Sequence, residues 1–189
     1  MEKTNNILKP FCIVVLLCAF VYGLALPFFW GNNPASELGT LSVLCAQRKA
    51  WFWLWGALTS GGIFINCQYM FRKFGIKSKL CTVLGVLAMI SVAFVALTLG
   101  HSIEDWNPKR IAHWVSTGIF IALTAASIVF YFVVNRKKHK SFMKLAVIVV
   151  AILSSFFILF ILIGKGAVME MIPIALLQIF LFVFRLDDY

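Results

Sequence analysis

The chain has 189 residues, of which 62% are apolar and only 13% are charged, and its mean hydropathy is +0.95. A soluble domain carries about a quarter of charged residues, so this composition excludes a surface built to face water and predicts lipid as the outer solvent. The net charge of +10 would suit a nucleic-acid-binding protein. However, the basic residues lie in short segments between apolar runs, as in membrane proteins, and no nucleic-acid partner is predicted.

Six apolar runs are long enough, or nearly so, to cross a bilayer as an α-helix, which takes about 20 residues. They cover residues 10–30, 51–70, 80–99, 111–134, 142–163 and 168–184. Backbone groups in lipid must find hydrogen-bond partners within their own segment, so helices are predicted rather than open strands. The predicted fold is an all-α membrane protein, a single bundle of about six transmembrane helices over residues 1–189.

Lys and Arg residues are distributed unequally between the connections. Twelve lie before the first run, between the second and third, between the fourth and fifth, or after the sixth, and five lie in the other connections. Cytoplasmic loops carry the excess of Lys and Arg. Both the N and the C terminus are therefore predicted to be cytoplasmic, in a multi-pass protein of the cell membrane. The basic connection from Arg136 to Lys144 would then face anionic lipid headgroups.

The first run also has the features of a cleaved signal peptide. Lys3 and Lys9 form a basic start, and Gly23 and Ala25 have the spacing of a cleavage site. The apolar run nevertheless continues to Trp30, beyond the usual length of a signal sequence. A retained first span is therefore predicted, and cleavage, the alternative, would leave five spans.

The second run begins with aromatic residues and then becomes polar. The tryptophans between Trp51 and Trp55 are typical of the headgroup region, with an aromatic wall around a lipid headgroup or a quaternary ammonium as the alternative. Gly56 and Ser60 have the small-x-x-x-small spacing of close helix contacts. Asn66 is disfavoured in lipid unless it finds a partner, so it is predicted to face protein, in packing or in ligand contact.

The fourth run carries a polar face and a row of small residues. The polar residues recur at helical spacing near one face: His113, Thr117, Thr124 and Ser127. The small residues have the spacing that lets helices approach closely in lipid: Gly118, Ala122 and Ala126. The helix is therefore predicted to be central in the bundle and to pack closely through its small-residue row.

Ionisable residues are predicted to gather at the exterior end of the bundle. His113 lies about one turn inside that boundary, and Glu104 and Asp105 lie in the connection before it. An ionisable group inside the membrane is costly and often functional. A pair of His113 with a carboxylate from Glu104, Asp105 or Glu170 is therefore the predicted centre of an outward-facing polar pocket. The predicted ligand-binding residues are His113, Thr117, Glu104, Asp105, Glu170, His101 and Asn66.

Neither a cofactor, a metal site nor a catalytic residue is predicted. The spacing of His101, Glu104, Asp105 and His113 matches no standard metal site. The five cysteines form no C-x-x-C pair, and the motifs of phosphate binding, dinucleotide binding and the nucleophile elbow are missing from the sequence.

The chain resembles the bacterial six-helix membrane family called domain of unknown function 998 (DUF998), which is distantly similar to DRAM-like membrane proteins. The likeness rests on Ser36-Glu37-Leu38-Gly39 after the first run, an aromatic-then-glycine second run ending near Gly61-Gly62, His113 followed by Trp114, Ser116 and Gly118, and Glu170 at the start of the last run. It covers most of the chain and implies a six-helix membrane fold with no established reaction.

Three functions fit these features. The first is a non-enzymatic protein that binds a lipid-like or small amphipathic molecule, or a membrane-protein partner such as a second copy, through a one-sided groove. The second is a small transporter, or a membrane subunit of one, with a polar path through Asn66, Gln68 and the fourth-run hydroxyls. The third is a membrane-embedded hydrolase or metal-dependent enzyme, whose ionisable groups must converge on one reacting atom. Its candidate residues are His101, His113, Glu104, Asp105 and Glu170.

Overall fold

The structure is a computed structural model that describes residues 2–29, 40–46, 48–75, 78–99, 107–163 and 166–186, and for residues 2–9, 160, 163, 168 and 184–186 the backbone alone. These residues form helices and no strand, as expected for an all-α protein. The helices are α1 (Glu2–Ala25), which continues into a 3-10 turn (Leu26–Phe28), α2 (Leu41–Leu44), α3 (Lys49–Lys73), α4 (Lys79–Leu97), α5 (Pro108–Val134), α6 (Phe142–Ile163) and α7 (Ala167–Leu186).

The six long helices coincide with the six apolar runs, and most extend beyond them into polar residues. Local capping explains two of these extensions. The Asn107 side chain accepts a hydrogen bond of 2.9 Å from the Arg110 backbone N–H, and Pro108 takes the first helical position of α5. The Ser78 hydroxyl accepts one of 3.2 Å from the Cys81 N–H at the start of α4. The short helix α2 lies in a connection for which no element was predicted.

The long helices form a closed antiparallel ring. Each packs against its neighbour in the order α1, α3, α4, α5, α6, α7 and back to α1, and α3 also contacts α7. The ring has a first end, at which α3, α5 and α7 begin, and a second end, at which α4 and α6 begin. An interior therefore exists between the helices, and its width varies along the ring.

The outside of the ring is apolar. Four segments are long and apolar enough to cross a membrane: Pro10–Phe28, Lys79–Leu97, Pro108–Val134 and Phe142–Leu159. Large apolar side chains point outward from them, including Leu97 at 65%, Phe157 at 63% and Ile161 at 80% exposure. Soluble proteins rarely expose such continuous apolar surface, so the chain is a helical membrane protein.

Helix α3 carries its polar residues into the protein. The Asn66 side chain, 3% exposed, donates hydrogen bonds to the backbone oxygens of Cys12 in α1 (3.2 Å) and Gly62 in its own helix (2.8 Å). The Gln68 side-chain oxygen accepts a hydrogen bond of 3.1 Å from the Thr82 hydroxyl of α4. These contacts tie α3 to both of its neighbours in the ring, so α3 is held by protein on the faces where lipid would leave its polar groups unpaired.

Aromatic residues fill the second end of the ring. Phe71 and Tyr131 stack with ring centroids 4.1 Å apart, and the Tyr131 hydroxyl donates a 3.3 Å hydrogen bond to the Phe71 backbone oxygen. Phe132 and Phe142 pack edge to face beside them at 5.2 Å. All four side chains are buried. The cluster closes the interior at this end.

The predicted packing role of the small-residue row in α5 is wrong. Gly118, Ala122 and Ala126 are exposed, and a Cβ added at Gly118 would meet nothing within 4 Å. Close approach occurs instead between α3 and α4, where a Cβ on Gly56 would lie 2.9 Å from Cγ1 of Val92. Spacing identifies small residues on one face of a helix, but it does not show whether a neighbouring helix lies against that face.

Gly56→Ala is expected to destabilise the protein by about 1–3 kcal/mol, because the added methyl group overlaps the rotamer-restricted Val92 and forces α3 and α4 apart. Gly61→Ala is the matched control in the same helix, since a Cβ there meets nothing within 4 Å. Melting temperatures in detergent should fall for the first variant and stay level or rise for the second. Equal melting temperatures would show that the two helices are not in close contact at Gly56.

Candidate functional site

A cavity of about 80 Å³ lies inside the ring, toward its first end. Five of the long helices and α2 contribute to its walls, and α1 does not. Its polar lining residues are Ser42, Thr59, His113, Thr117, Thr124 and Glu170. The remaining wall is aromatic and aliphatic, and it includes Phe52, Phe120 and Leu177. The cavity thus combines a few polar groups with a larger apolar surface, as small-molecule sites commonly do.

Glu170 attaches the short helix α2 to the ring. One of its carboxylate oxygens accepts a 3.0 Å hydrogen bond from the backbone N–H of Leu41, the first residue of α2. Leu41 and Cys45 are fully buried and belong to an apolar cluster with Phe52 and Val95. Leu41 also lines the cavity. Helix α2 therefore forms part of the cavity wall at the first end, and the Glu170 carboxylate faces both α2 and the cavity.

His113 is oriented by the end of α4. Its Nδ1 lies 3.2 Å from the backbone oxygen of Val95 and 3.3 Å from the Thr98 hydroxyl. A carbonyl oxygen only accepts hydrogen bonds, so the proton sits on Nδ1, and in the neutral ring Nε2 carries the lone pair. The Thr117 hydroxyl donates a 2.9 Å hydrogen bond to the His113 backbone oxygen, one turn earlier in α5. The imidazole is thus held in one tautomer at the cavity wall.

Thr59 carries an unpartnered hydroxyl. Its side chain is 2% exposed, and its Oγ1 has no hydrogen-bond partner among the described residues. Leaving such a buried group unpaired costs about 1–3 kcal/mol, which a bound molecule at this wall would offset. The indole Nε1 of Trp55 is also buried and unpartnered within the described chain. That atom lies beside Gly23 of α1, 3.3 Å from where a Cβ would be, so it faces away from the cavity.

The structure brings together three of the predicted ligand-binding residues: His113, Thr117 and Glu170 all line the cavity. Asn66 does not, because its side chain is engaged with the backbone of α1. The other predicted residues, His101, Glu104 and Asp105, lie outside the described residues, as does Ser36-Glu37-Leu38-Gly39.

Two features of the site were not predicted as site residues from the sequence. Thr59 lies in the polar part of the second run, four residues after Trp55, which also lines the cavity. That helical spacing was the available signal for a shared face. Helix α2 offered no signal, because four residues are too few to show a periodicity.

The cavity does not provide a metal-binding set. Of its lining residues, two are ionisable, His113 and Glu170. Within the described part of the chain, no group of three His, Cys, Asp or Glu side chains lies close enough to hold a metal ion. A catalytic zinc site takes three protein ligands, so the described residues do not fit one.

Comparisons of the chain with protein-family models, with curated proteins and with solved structures find no match. The function is therefore argued from the geometry of the cavity.

Glu170→Ala is expected to release α2 and raise the maleimide reactivity of Cys45 by about tenfold or more, since only an accessible thiolate reacts. Burial and, after it, the Glu170 carboxylate raise the pKa of the Cys45 thiol to about 11. Removing Glu170 reduces both effects, which increases the thiolate fraction at mildly alkaline pH.

The labelling is measured on a chain that keeps Cys45 as its sole cysteine. Glu170→Gln, which keeps a hydrogen-bond acceptor for the Leu41 N–H, should label more slowly than Glu170→Ala. A chain with Cys67 alone, buried in α3, reports any general loosening. Unchanged labelling of Cys45 in Glu170→Ala would rule out the attachment of α2 through Glu170.

Proposed function

We propose that the chain is a multi-pass protein of the cell membrane that binds a lipid-like or small amphipathic molecule in the cavity between its helices. In this proposal all six long helices span the membrane and both termini are cytoplasmic. The first end of the ring, with the cavity, then faces the outside. The excess of Lys and Arg in the connections at the second end and at the termini supports this orientation.

Six spans are two more than composition alone identifies in the structure. The remaining long helices are α3, with its buried polar residues, and α7, whose apolar part is the shorter segment Met169–Val183. Both belong to the same closed ring as the four apolar helices. A helix that contacts protein on its polar face needs less hydrophobicity to cross a membrane, which supports counting α3 as a span.

The observation that carries the binding proposal is the unpartnered Thr59 hydroxyl in a cavity that also contains Glu170 and His113. A bound polar head would pair with these groups. The aromatic and aliphatic walls, including Phe120 and Leu177, would contact an apolar portion of the same molecule. An amphipathic ligand matches both parts of the cavity, whereas a purely polar or purely apolar ligand matches one.

A binding site is favoured over a transport path by the closed second end. A transporter needs a polar route that can be reached from both sides. Here Phe71, Tyr131, Phe132 and Phe142 pack together at the second end, and Asn66 and Gln68 contact neighbouring helices. Those side chains support a one-sided cavity.

Membership of the DUF998-type family forms part of the proposal. Two residues on which that resemblance rests, His113 and Glu170, line the same cavity although they are far apart in sequence. A family whose sequence pattern follows a shared binding cavity would show this arrangement.

The orientation is tested by labelling single cysteines with a membrane-impermeant maleimide in intact cells. In an otherwise cysteine-free chain, Glu104→Cys should label from outside, and His139→Cys should label only after the membrane is permeabilised. The basic asymmetry between the connections is the physical reason. Labelling of both positions from the same side would contradict the six-span topology.

Thr59→Val tests the cavity. Removing an unpartnered hydroxyl should stabilise the empty protein by about 1 kcal/mol, while the loss of one hydrogen bond should weaken a bound amphiphile by about fivefold. Melting temperature and mass spectrometry of co-purified molecules report the two quantities.

The matched control is Thr82→Val. The Thr82 hydroxyl is bonded to Gln68 and to the Ser78 backbone, outside the cavity. This change should lower stability and leave the co-purified molecule in place. A Thr59→Val protein that melts lower and keeps its co-purified molecule would make Thr59 a structural residue and overturn the proposal.

A further inference from the structure

The outer surface of the ring carries a groove between α5 and α6. Its volume is about 520 Å³, within the range of about 300–1,000 Å³ of small-molecule sites. Its rim is formed by exposed residues, Trp114, Gly118 and Ala122 of α5 and Val150 and Phe157 of α6. In the membrane this surface contacts lipid.

The groove and the central cavity share a wall. Thr117 and Ile121 of α5 and Leu153 and Phe156 of α6 line both spaces. One layer of side chains therefore separates the lipid-facing groove from the cavity. None of these four residues is fully buried, so their side chains border space on the outside as well as the inside.

Small residues keep the groove open. Gly118 and Ala122 lie where a larger side chain would fill the gap, and a Cβ at Gly118 meets nothing within 4 Å. An empty gap of this kind forfeits dispersion contacts along its walls. Lipid hydrocarbon is the medium against this face of the ring, so an acyl chain is the occupant that restores those contacts.

We propose that the gap between α5 and α6 is a lateral opening through which the hydrocarbon chain of a single-chain amphiphile extends from the groove to a head held in the central cavity. The proposal rests on the proposed function and identifies the ligand class. The route comes from the membrane and not from water, because the groove opens on the apolar outside of the ring and α2 forms part of the wall at the first end.

The size and chemistry of the cavity restrict the head. A volume of about 80 Å³ holds roughly five to eight water-sized groups, enough for a hydroxyl or an amine with its first carbons. The Glu170 carboxylate accepts hydrogen bonds, and the Thr59 hydroxyl can donate or accept one. A compact head that donates a hydrogen bond, such as that of a long-chain alcohol or amine, satisfies both residues.

Quenching of Trp55 fluorescence tests the route, since Trp55 is 8% exposed and lines the cavity. The other five tryptophans are replaced by Phe, and the protein is placed in phosphatidylcholine vesicles. A dibrominated octadecanol is expected to quench Trp55 saturably. Gly118→Leu and Ala122→Leu fill the groove and should raise the concentration for half-quenching by about tenfold, the equivalent of roughly two displaced methylenes.

Ala126→Leu is the matched control, because Ala126 is exposed one turn further along α5 and does not line the groove. It should quench like the parent. Melting temperatures confirm that all variants fold, and two independent groove variants guard against the loss of one.

A dibrominated propanol separates the two proposals, because it carries the head without a chain. If it quenches Trp55 saturably while the octadecanol does not, or while the groove variants bind octadecanol like the parent, the lateral opening is overturned and cavity binding stands. If neither alcohol quenches Trp55 saturably in the parent, the cavity does not bind such heads, and both proposals are overturned.

Discussion

Hydrocarbon neither donates nor accepts hydrogen bonds, and this constraint sorts the side chains of the ring. Polar groups placed in the membrane must find partners inside the protein. Asn66 bonds to the backbone of α1, and the Ser127 hydroxyl donates a 2.9 Å hydrogen bond to the Cys81 backbone oxygen of α4. Such contacts hold neighbouring helices together where apolar surface alone would not, because lipid tails are as apolar as the helices themselves.

The cavity is where that sorting is incomplete. Thr59 has a buried hydroxyl without a partner, in a space that Glu170 and His113 also border. Glu170 has a further structural role there, because it holds the N–H of Leu41 and with it the short helix α2. A group that both closes a cavity and faces its interior couples the presence of a ligand to the position of the wall.

Helix α5 relates the inside of the ring to its outside. Its buried polar face presents His113 and Thr124 to the cavity, while Gly118 and Ala122 open the groove on the lipid side. Thr117 lies between these faces and lines both spaces. Small residues in membrane helices either permit close helix contact or leave a gap, and in α5 they leave the gap.

The sequence by itself determined the solvent and the elements. Apolar runs of about 20 residues and few charges require lipid and helices, and the long helices coincide with those runs. Helical spacing also placed His113, Thr117 and Thr124 on one buried face of α5. These properties depend on local composition and on the period of one helix, which a chain displays before it folds.

Only the tertiary structure decided which helices are neighbours and what lies between them. Glu170 meets Leu41 across 129 positions of sequence, and no local pattern predicts so distant a contact. The spacing of Gly118, Ala122 and Ala126 was the same for a packed face as for an open one, and the arrangement of α5 and α6 made it open. A periodic pattern defines a face of a helix, and the helices around it determine whether that face meets protein, cavity or lipid.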